Sequence, residues 1–128
     1  MRKYFLVDDD EVFNFLHTEV ISKIDSTADI TAFRSGDQVI ATLKKLIDEG
    51  SGMPDFIFLD IRMPEMDGFD VLDEMLKFPV ELYKEVKIYM LSSSLDERDL
   101  KRAMSYPIVT EFKGKPLSFD LLGQILGK

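Results

Sequence analysis

Apolar residues occur along the chain in five short runs, which alternate with five amphipathic segments. The first, third and fourth runs are nearly continuous, which is typical of β-strands covered on both faces of a sheet. An apolar run followed by an amphipathic segment, repeated along the whole chain, predicts an α/β fold. The runs predicted to be strands are Tyr4–Val7, Ile30–Phe33, Phe56–Leu59, Val86–Leu91 and Ile108–Phe112.

The segments between these runs carry apolar residues at helical spacing. The fourth and fifth segments span Asp96–Ser105 and Ser118–Leu126. Parallel strands need right-handed crossovers, so we expect helices on both faces of a doubly wound, five-stranded parallel sheet. The stripes predicted to face the core of the first three helices are Phe13, Leu16, Val20 and Ile24; Val39, Leu43, Leu46 and Ile47; and Phe69, Leu72, Met75 and Leu76.

The length of 128 residues fits one domain. The chain has no cysteine and a single histidine, which excludes a disulfide framework and a thiolate zinc site. Any bound metal must therefore be held by oxygen ligands, which favours Mg2+ or Ca2+. We read His17 as a partly exposed residue of the first helix with no functional role.

Acidic residues outnumber basic ones, 24 Asp and Glu against 16 Lys and Arg, for a formal net charge of −8. Such a surface repels nucleic acid and anionic lipid, so we expect neither as a direct partner. The apolar run before Asp8 is too short for a signal peptide, and the protein is expected to be cytoplasmic. The initiator methionine and the last residues just past the final helix lead us to expect a complete chain with one domain, residues 1–128.

Polar side chains follow the predicted strands at the points where they end. Asp8, Asp9 and Asp10 follow the first strand, Asp60 follows the third, Ser92 to Ser94 follow the fourth, and Lys115 lies just past the fifth. In open α/β sheets the binding crevice lies at these carboxyl ends. Carboxylates that converge there cannot all stay ionised without a cation, and Mg2+ fits oxygen ligands best. An ammonium and a hydroxyl on the same rim suit the oxygens of a phosphoryl group.

The ordered set of these residues resembles the receiver domain of two-component response regulators. The residues that carry the resemblance are Asp8-Asp9, the stretch from Asp60 to Gly68 (Asp-Ile-Arg-Met-Pro-Glu-Met-Asp-Gly), Ser92 and Lys115-Pro116. The resemblance spans essentially the whole chain. It implies a flavodoxin-like fold with strand order 2-1-3-4-5.

The resemblance also implies a role for each acidic residue of the site. Asp60 would accept a phosphoryl group from a sensor histidine kinase or a histidine phosphotransfer protein. Mg2+ would be bound by Asp9 directly, by Asp8 mainly through water, by Asp60, and by the backbone carbonyl of Arg62. Asp10 would lie outside this set, as the N-cap of the first helix.

Two further residues would contact the phosphoryl group in such a domain. Ser92 would donate a hydrogen bond to one phosphoryl oxygen, Lys115 would pair with another, and the Lys115-Pro116 peptide bond would be cis. Ser92 and the aromatic residue Phe112 would form a switch that reshapes the surface built from the last two helices and the fifth strand. That surface would bind an unknown downstream protein. The domain would catalyse only its own phosphoryl transfer and dephosphorylation, and would not be an enzyme with a separate substrate.

Two alternatives remain open at the level of sequence. The stretch Asp8-Asp9-Asp10-Glu11-Val12 also matches the nucleophile motif of haloacid-dehalogenase-like phosphatases, in which Asp8 would be the nucleophile and Asp10 the acid/base. That family needs a further acidic pair late in the chain, and after Lys115 only Asp120 is acidic. A degenerate receiver that serves only as an interaction module is disfavoured, because every acceptor residue is present.

Overall fold

The computed structural model describes all 128 residues. None of its helices is both long enough and apolar enough to cross a membrane. In chain order the elements are β1 (Lys3–Val7), α1 (Glu11–Ile24), β2 (Asp29–Phe33), α2 (Gly36–Asp48), β3 (Phe56–Asp60), α3 (Gly68–Met75), α4 (Val80–Tyr83), β4 (Lys87–Ser92), α5 (Glu97–Met104), β5 (Val109–Gly114) and α6 (Phe119–Leu126).

The strands form one parallel sheet in the order β2-β1-β3-β4-β5, which confirms the predicted flavodoxin-like fold. Successive residues of a strand point to opposite faces, and each face has its own core. Phe5 and Val7 of β1 join a cluster with α2, α3 and α5, whereas Tyr4 and Leu6 join a second cluster with α1 and α6. Burial on both faces explains why the central strands are almost entirely apolar.

The sequence predicted five helices, and the structure has six. The additional helix, α4, is a single turn of four residues that follows Pro79. None of its residues is fully buried, and only Tyr83 packs against the core, so four residues give no repeating apolar stripe. Hydrophobic periodicity therefore could not predict it.

Strand β5 contains an irregularity that places two residues, an odd number of positions apart, on the same face of the sheet. Ile88 of β4 pairs with Val109, but the next residue of β4 pairs with Glu111, so Thr110 is skipped. A bulge of this kind interrupts the strict alternation of side chains. As a result Val109 and Phe112, three residues apart, both pack into the core on the α5 side of the sheet.

Helix α1 buries only part of its predicted apolar stripe, since Val20 and Ile24 pack against the core and Leu16 does not. Its buried residues are Asn14, His17 and Ile21, whereas Leu16 is 41% exposed. The inward face of the first turns of α1 is therefore polar. The partners of these two polar side chains are main-chain groups at the carboxyl end of the sheet, at Asp8, Phe33 and Leu117.

Candidate functional site

The candidate site lies at the carboxyl end of the sheet, where four strands bring polar side chains together. Val7 of β1 pairs with Leu59 of β3. Asp8 and Asp60, the next residue after each of these, therefore lie side by side at the end of the sheet. The main-chain amide of Lys115 donates to the carbonyl of Ser92 over 2.8 Å and so holds the β5–α6 loop against the end of β4.

Three carboxylates form a cluster at this edge. One oxygen each of Asp8, Asp9 and Asp60 lie within 4.8 Å of one another. Asp8 and Asp60 are buried, with 3% and 4% exposure, and Asp9 is the one that is open to solvent. Since burial disfavours isolated charges, a cluster of this kind requires nearby positive charge.

Lys115 supplies one positive charge from within the protein. Its Nζ lies 2.9 Å from Oδ2 of Asp8 and 3.3 Å from Oδ1 of Asp60, and its side chain is only 5% exposed. The ammonium also lies 4.1 Å from the centre of the Phe13 ring, in cation–π geometry. The sequence indicated Lys115, but it gave Phe13 only as part of an apolar stripe.

The close packing of these charged groups shifts the pKa values of Asp60 and Lys115. Burial, together with the charge of Asp8, raises the pKa of Asp60 to about 6, although Lys115 and the amide of Arg62 oppose this shift. Burial by itself would lower the pKa of Lys115, but its hydrogen bond to Asp8 and the charge of Asp60 outweigh burial and raise it. Lys115 therefore remains a cation, whereas the ionised form of Asp60 is disfavoured by its surroundings.

The loop between β1 and α1 is fixed by hydrogen bonds from its own polar residues. The amide of Asp10 donates to Oδ1 of Asp8 over 2.9 Å, and the Asp10 side chain caps α1 by accepting from the amide of Val12. Nδ2 of Asn14 donates to the carbonyls of Asp8 and Phe33. These bonds leave Asp9 as the acidic residue of the loop that turns to the cluster and to solvent.

His17 is buried at 2% exposure, so the expectation of a partly exposed surface residue is wrong. Its Nε2 accepts a hydrogen bond of 3.0 Å from the amide of Leu117 in the β5–α6 loop. Only a neutral imidazole can accept in this way. Burial lowers the pKa of His17 to about 4, which keeps the ring neutral at physiological pH.

Ser92 is the last residue of β4, at the site, and Phe112 of β5 lies in the core beneath α5. The hydroxyl of Ser92 donates to the carbonyl of Ser94 over 2.7 Å and accepts from the Ser94 amide, so it is engaged by its own loop. Phe112 is buried at 9% exposure in the core on the α5 side. The Lys115-Pro116 peptide bond is cis.

The loop after β3 carries Arg62, whose side chain turns away from the cluster. Its guanidinium donates to the carboxylate of Asp99 on α5 over 2.6 Å. The main-chain amide of Arg62 faces the Asp60 carboxylate. Its backbone is therefore beside the cluster, and its side chain links the loop to α5.

The residues of this cluster fit a divalent cation. Three carboxylates and the single ammonium of Lys115 leave two uncompensated negative charges when all are ionised. Carboxylate oxygens are the ligands that Mg2+ prefers, and no sulfur ligand exists in the chain. Asp9, the accessible member, offers the side from which an ion and its waters can approach.

Three clustered carboxylates and a buried lysine lie at the switch point of the doubly wound sheet, which is where open α/β sheets bind their ligands. The chain belongs to the response regulator receiver domain family, whose model matches residues 4–126. It is thus a receiver domain of the kind used in two-component systems.

Solved structures of similar proteins share the fold over the whole chain. A two-component response regulator from Cytophaga hutchinsonii is 30% identical, with a TM-score of 0.89 over 99% of this chain and 95% of that one. The Mn2+-bound form of response regulator Rcp1 is 27% identical, with a TM-score of 0.76 over 99% of this chain and 91% of that one.

Among curated proteins, the probable methanogenesis regulatory protein FilR2 of Methanothrix harundinacea is 29% identical. The match covers 90% of this chain and 72% of that protein. Three other curated relatives are much longer, and the chain spans only 7% to 23% of their length.

Proposed function

We propose that residues 1–128 act as one phosphoacceptor unit, in which Asp60 receives a phosphoryl group in the presence of Mg2+. The observation that carries this proposal is the position of Lys115 Nζ, 2.9 Å from Asp8 and 3.3 Å from Asp60, with all three side chains at most 5% exposed. A carboxylate is a poor nucleophile towards phosphorus unless charge is neutralised, and a fixed cation beside it is placed to neutralise charge on the oxygens of the incoming phosphoryl group.

The metal would be held by Asp9 and Asp60, with Asp8 acting through water and the backbone carbonyl of Arg62 as a further ligand. Bound Mg2+ would supply positive charge for the oxygens of the incoming phosphoryl group. The Mn2+-bound form of the similar regulator Rcp1 supports a divalent ion in a fold of this kind.

In the proposed reaction an oxygen of Asp60 attacks the phosphorus of a phosphohistidine. The phosphorus–nitrogen bond breaks, its electron pair stays on the imidazole nitrogen, and an acyl phosphate forms on Asp60. Lys115 pairs with one phosphoryl oxygen, and the Ser92 hydroxyl leaves Ser94 to donate to another. Later attack of water on the phosphorus would break its bond to the Asp60 oxygen, release inorganic phosphate and return Asp60 to its free carboxylate.

The donor would be a sensor histidine kinase or a histidine phosphotransfer protein, since receivers of two-component systems pair with such proteins. Two of the longer curated relatives are themselves named as histidine kinases, which supports this class of partner. The cluster is open to solvent at Asp9, and Val12, Phe15 and Leu16 on nearby α1 are exposed apolar residues. A partner helix carrying the phosphohistidine could pack there.

We propose that phosphorylation is transmitted to a surface formed by α5, β5 and α6. Four large apolar side chains on or beside these helices are exposed, and they can bind a downstream protein: Leu95, Leu100, Met104 and Phe119. The first event would be the loss of the Ser92–Ser94 hydrogen bonds when Ser92 turns to the phosphoryl group. Phe112 is already buried next to α5, so its ring would repack within the core. A partner biases this equilibrium only by binding its two states with different affinity.

The test is incubation with acetyl phosphate and Mg2+, followed by intact mass measurement and peptide mapping. We expect one added phosphoryl group on the peptide containing Asp60, and none in Asp60→Asn. Asp10→Ser is the matched control, because serine retains the helix cap while one acidic group beside the cluster is removed. Equal labelling of Asp60→Asn would overturn the proposal.

The same mapping distinguishes the haloacid-dehalogenase-like alternative, which requires the label on Asp8. In that reaction Asp10 must exchange protons beside the nucleophile. Here the Asp10 side chain is engaged in capping α1. The family match likewise assigns the chain to receiver domains.

A further inference from the structure

The lysine of the site is held in place at its backbone as well as at its ammonium group. The amide of Lys115 donates to Ser92 of β4, and two residues later the amide of Leu117 donates to His17 of α1. The β5–α6 loop is therefore tied to two different elements, one on each side of Pro116. Between these ties the Lys115 side chain extends to Asp8 and Asp60.

Helix α1 contacts this loop twice, one helical turn apart. The Phe13 ring lies 4.1 Å from the Lys115 ammonium, and His17 accepts the Leu117 amide. The two rings are themselves 5.9 Å apart, so they form one contiguous support. Residues at i and i+4 share a helix face, which is why one helix can make both contacts.

We propose that His17 is a positioning residue for phosphoryl transfer, because its bond to the Leu117 amide fixes the loop that places the Lys115 ammonium beside Asp60. This inference rests on the proposed function of Asp60. The hydrogen bond of the His17 side chain goes to the Leu117 amide and not to a proposed metal ligand, so His17 would act through the main chain of the loop.

Without His17 the Leu117 amide has no acceptor in a buried position. An amide left without a partner in the interior is destabilising, so the loop shifts to find one. Leu117 is only 1% exposed, so bulk water does not replace the lost acceptor. A shift of the loop displaces the Lys115 ammonium, and small displacements of a charged group at a reaction centre slow the reaction strongly.

The test compares substitutions of His17 that differ in how far a hydrogen-bond acceptor extends from the backbone. Gln at position 17 can present its carbonyl oxygen about as far from the backbone as Nε2, whereas Asn is one methylene shorter and Leu has no acceptor. We measure the rate of Asp60 phosphorylation by acetyl phosphate at saturating Mg2+, the Mg2+ affinity, and the free energy of unfolding. We expect His17→Leu and His17→Asn to react about tenfold more slowly, and His17→Gln to stay within about threefold of the unsubstituted protein.

A merely structural role is excluded by a control on the same helix. Ile21→Ala removes a fully buried side chain of α1 that packs in the core shared with α6. It should lower the denaturant midpoint of unfolding and leave the phosphorylation rate of the folded protein unchanged. Magnesium affinity should be the same in all variants, because Asp8, Asp9 and Asp60 are intact.

Three outcomes would overturn the inference. They are an unchanged rate in both His17→Asn and His17→Leu, an equal slowing in Ile21→Ala, or a fall in Mg2+ affinity that accounts for the slower rate. If His17→Leu does not fold, the comparison of His17→Gln with His17→Asn decides. Failure of the proposed function is distinct, since the unsubstituted protein would then not be labelled on Asp60.

Discussion

Arg62 donates to the carboxylate of Asp99 over 2.6 Å, and this ion pair joins the loop after β3 to helix α5. The Asp99 side chain is 12% exposed and that of Arg62 is 67% exposed. The pair therefore connects the segment next to Asp60 with one wall of the proposed partner surface. Arg62 supplies the positive charge that compensates the mostly buried carboxylate of Asp99.

Removal of Arg62 should leave the Asp99 carboxylate partly buried without its partner. We expect Arg62→Gln to lower the free energy of unfolding by about 1 kcal/mol, and less in 1 M salt. Urea denaturation of Arg62→Gln, Asp99→Asn and the double variant gives the coupling between the two residues. The matched control is Arg98→Gln, because Arg98 is 91% exposed in its pair with Asp96 at the start of the same helix, and its loss should change nothing measurable. Additive effects of Arg62→Gln and Asp99→Asn would contradict the prediction.

Gly68 is required where α3 begins, because the main chain there approaches Asp60. A Cβ at this position would lie 2.5 Å from the Asp60 carbonyl oxygen, which is backbone and cannot move aside easily. We expect Gly68→Ala to destabilise the fold by about 2 kcal/mol or more and to slow labelling of Asp60.

Gly123 in α6 provides the opposite case for the same substitution. The nearest atom to its added Cβ lies at an ordinary 3.6 Å, so Gly123→Ala should stabilise the protein by about 0.5–1 kcal/mol through helix propensity. Thermal unfolding of both variants checks the pair. Similar melting temperatures for the two would contradict the steric argument.

The strands and the acidic cluster could be predicted from the sequence for a physical reason. A strand buried on both faces is a continuous apolar run, and the first polar residue after it marks the carboxyl end of the sheet. This pattern gave Asp8 and Asp60 their places, and the resemblance to receivers gave the strand order. Both the fold and the family were confirmed.

The inward face of α1 could not be predicted in the same way. Periodicity counts apolar residues, but Asn14 and His17 are buried because they bond to main-chain groups distant in sequence, at the end of β2 (Phe33) and in the β5–α6 loop (Leu117). Nothing in the sequence indicated that these two residues are buried, because the apolar stripe that includes Leu16 contains neither of them. The bulge at Thr110 was likewise invisible, because it depends on pairing with β4.

The stability of the protein should fall in acid in a way that depends on His17. Burial lowers the pKa of His17 to about 4 in the folded state, against 6.5 when unfolded. The unfolded chain therefore binds more protons between these values, so this contribution to stability is complete above pH 6.5 and declines as the pH falls towards 4. Between pH 7.5 and pH 5 the unsubstituted protein should lose about 2 kcal/mol more than His17→Gln. Urea denaturation without Mg2+ measures this, and parallel pH profiles for the two proteins would refute it.

Asp60 should destabilise the metal-free fold at neutral pH. Burial, and then the charge of Asp8, raise its pKa to about 6, above its ordinary value of 3.8. The folded state thus binds the extra proton between these values, and the stability that it provides is lost as the pH rises through 6. Asp60→Asn should be more stable than the unsubstituted protein by about 2–3 kcal/mol at pH 8, and equally stable near pH 4. A gain that does not vary with pH would point to packing rather than charge.

Magnesium should relieve this same repulsion, so it should stabilise the unsubstituted protein at pH 8 far more than Asp60→Asn. A ligand that binds only the folded state adds about 1.4 kcal/mol at ten times its dissociation constant. Asp9→Asn should abolish the effect, because Asp9 is the accessible member of the cluster, while Asp10→Ser should retain it. Thermal unfolding in a Mg2+ titration, with equal ionic strength kept by NaCl, separates site binding from screening. If Asp9→Asn and the unsubstituted protein gain the same melting temperature from Mg2+, the ion is not held by this cluster.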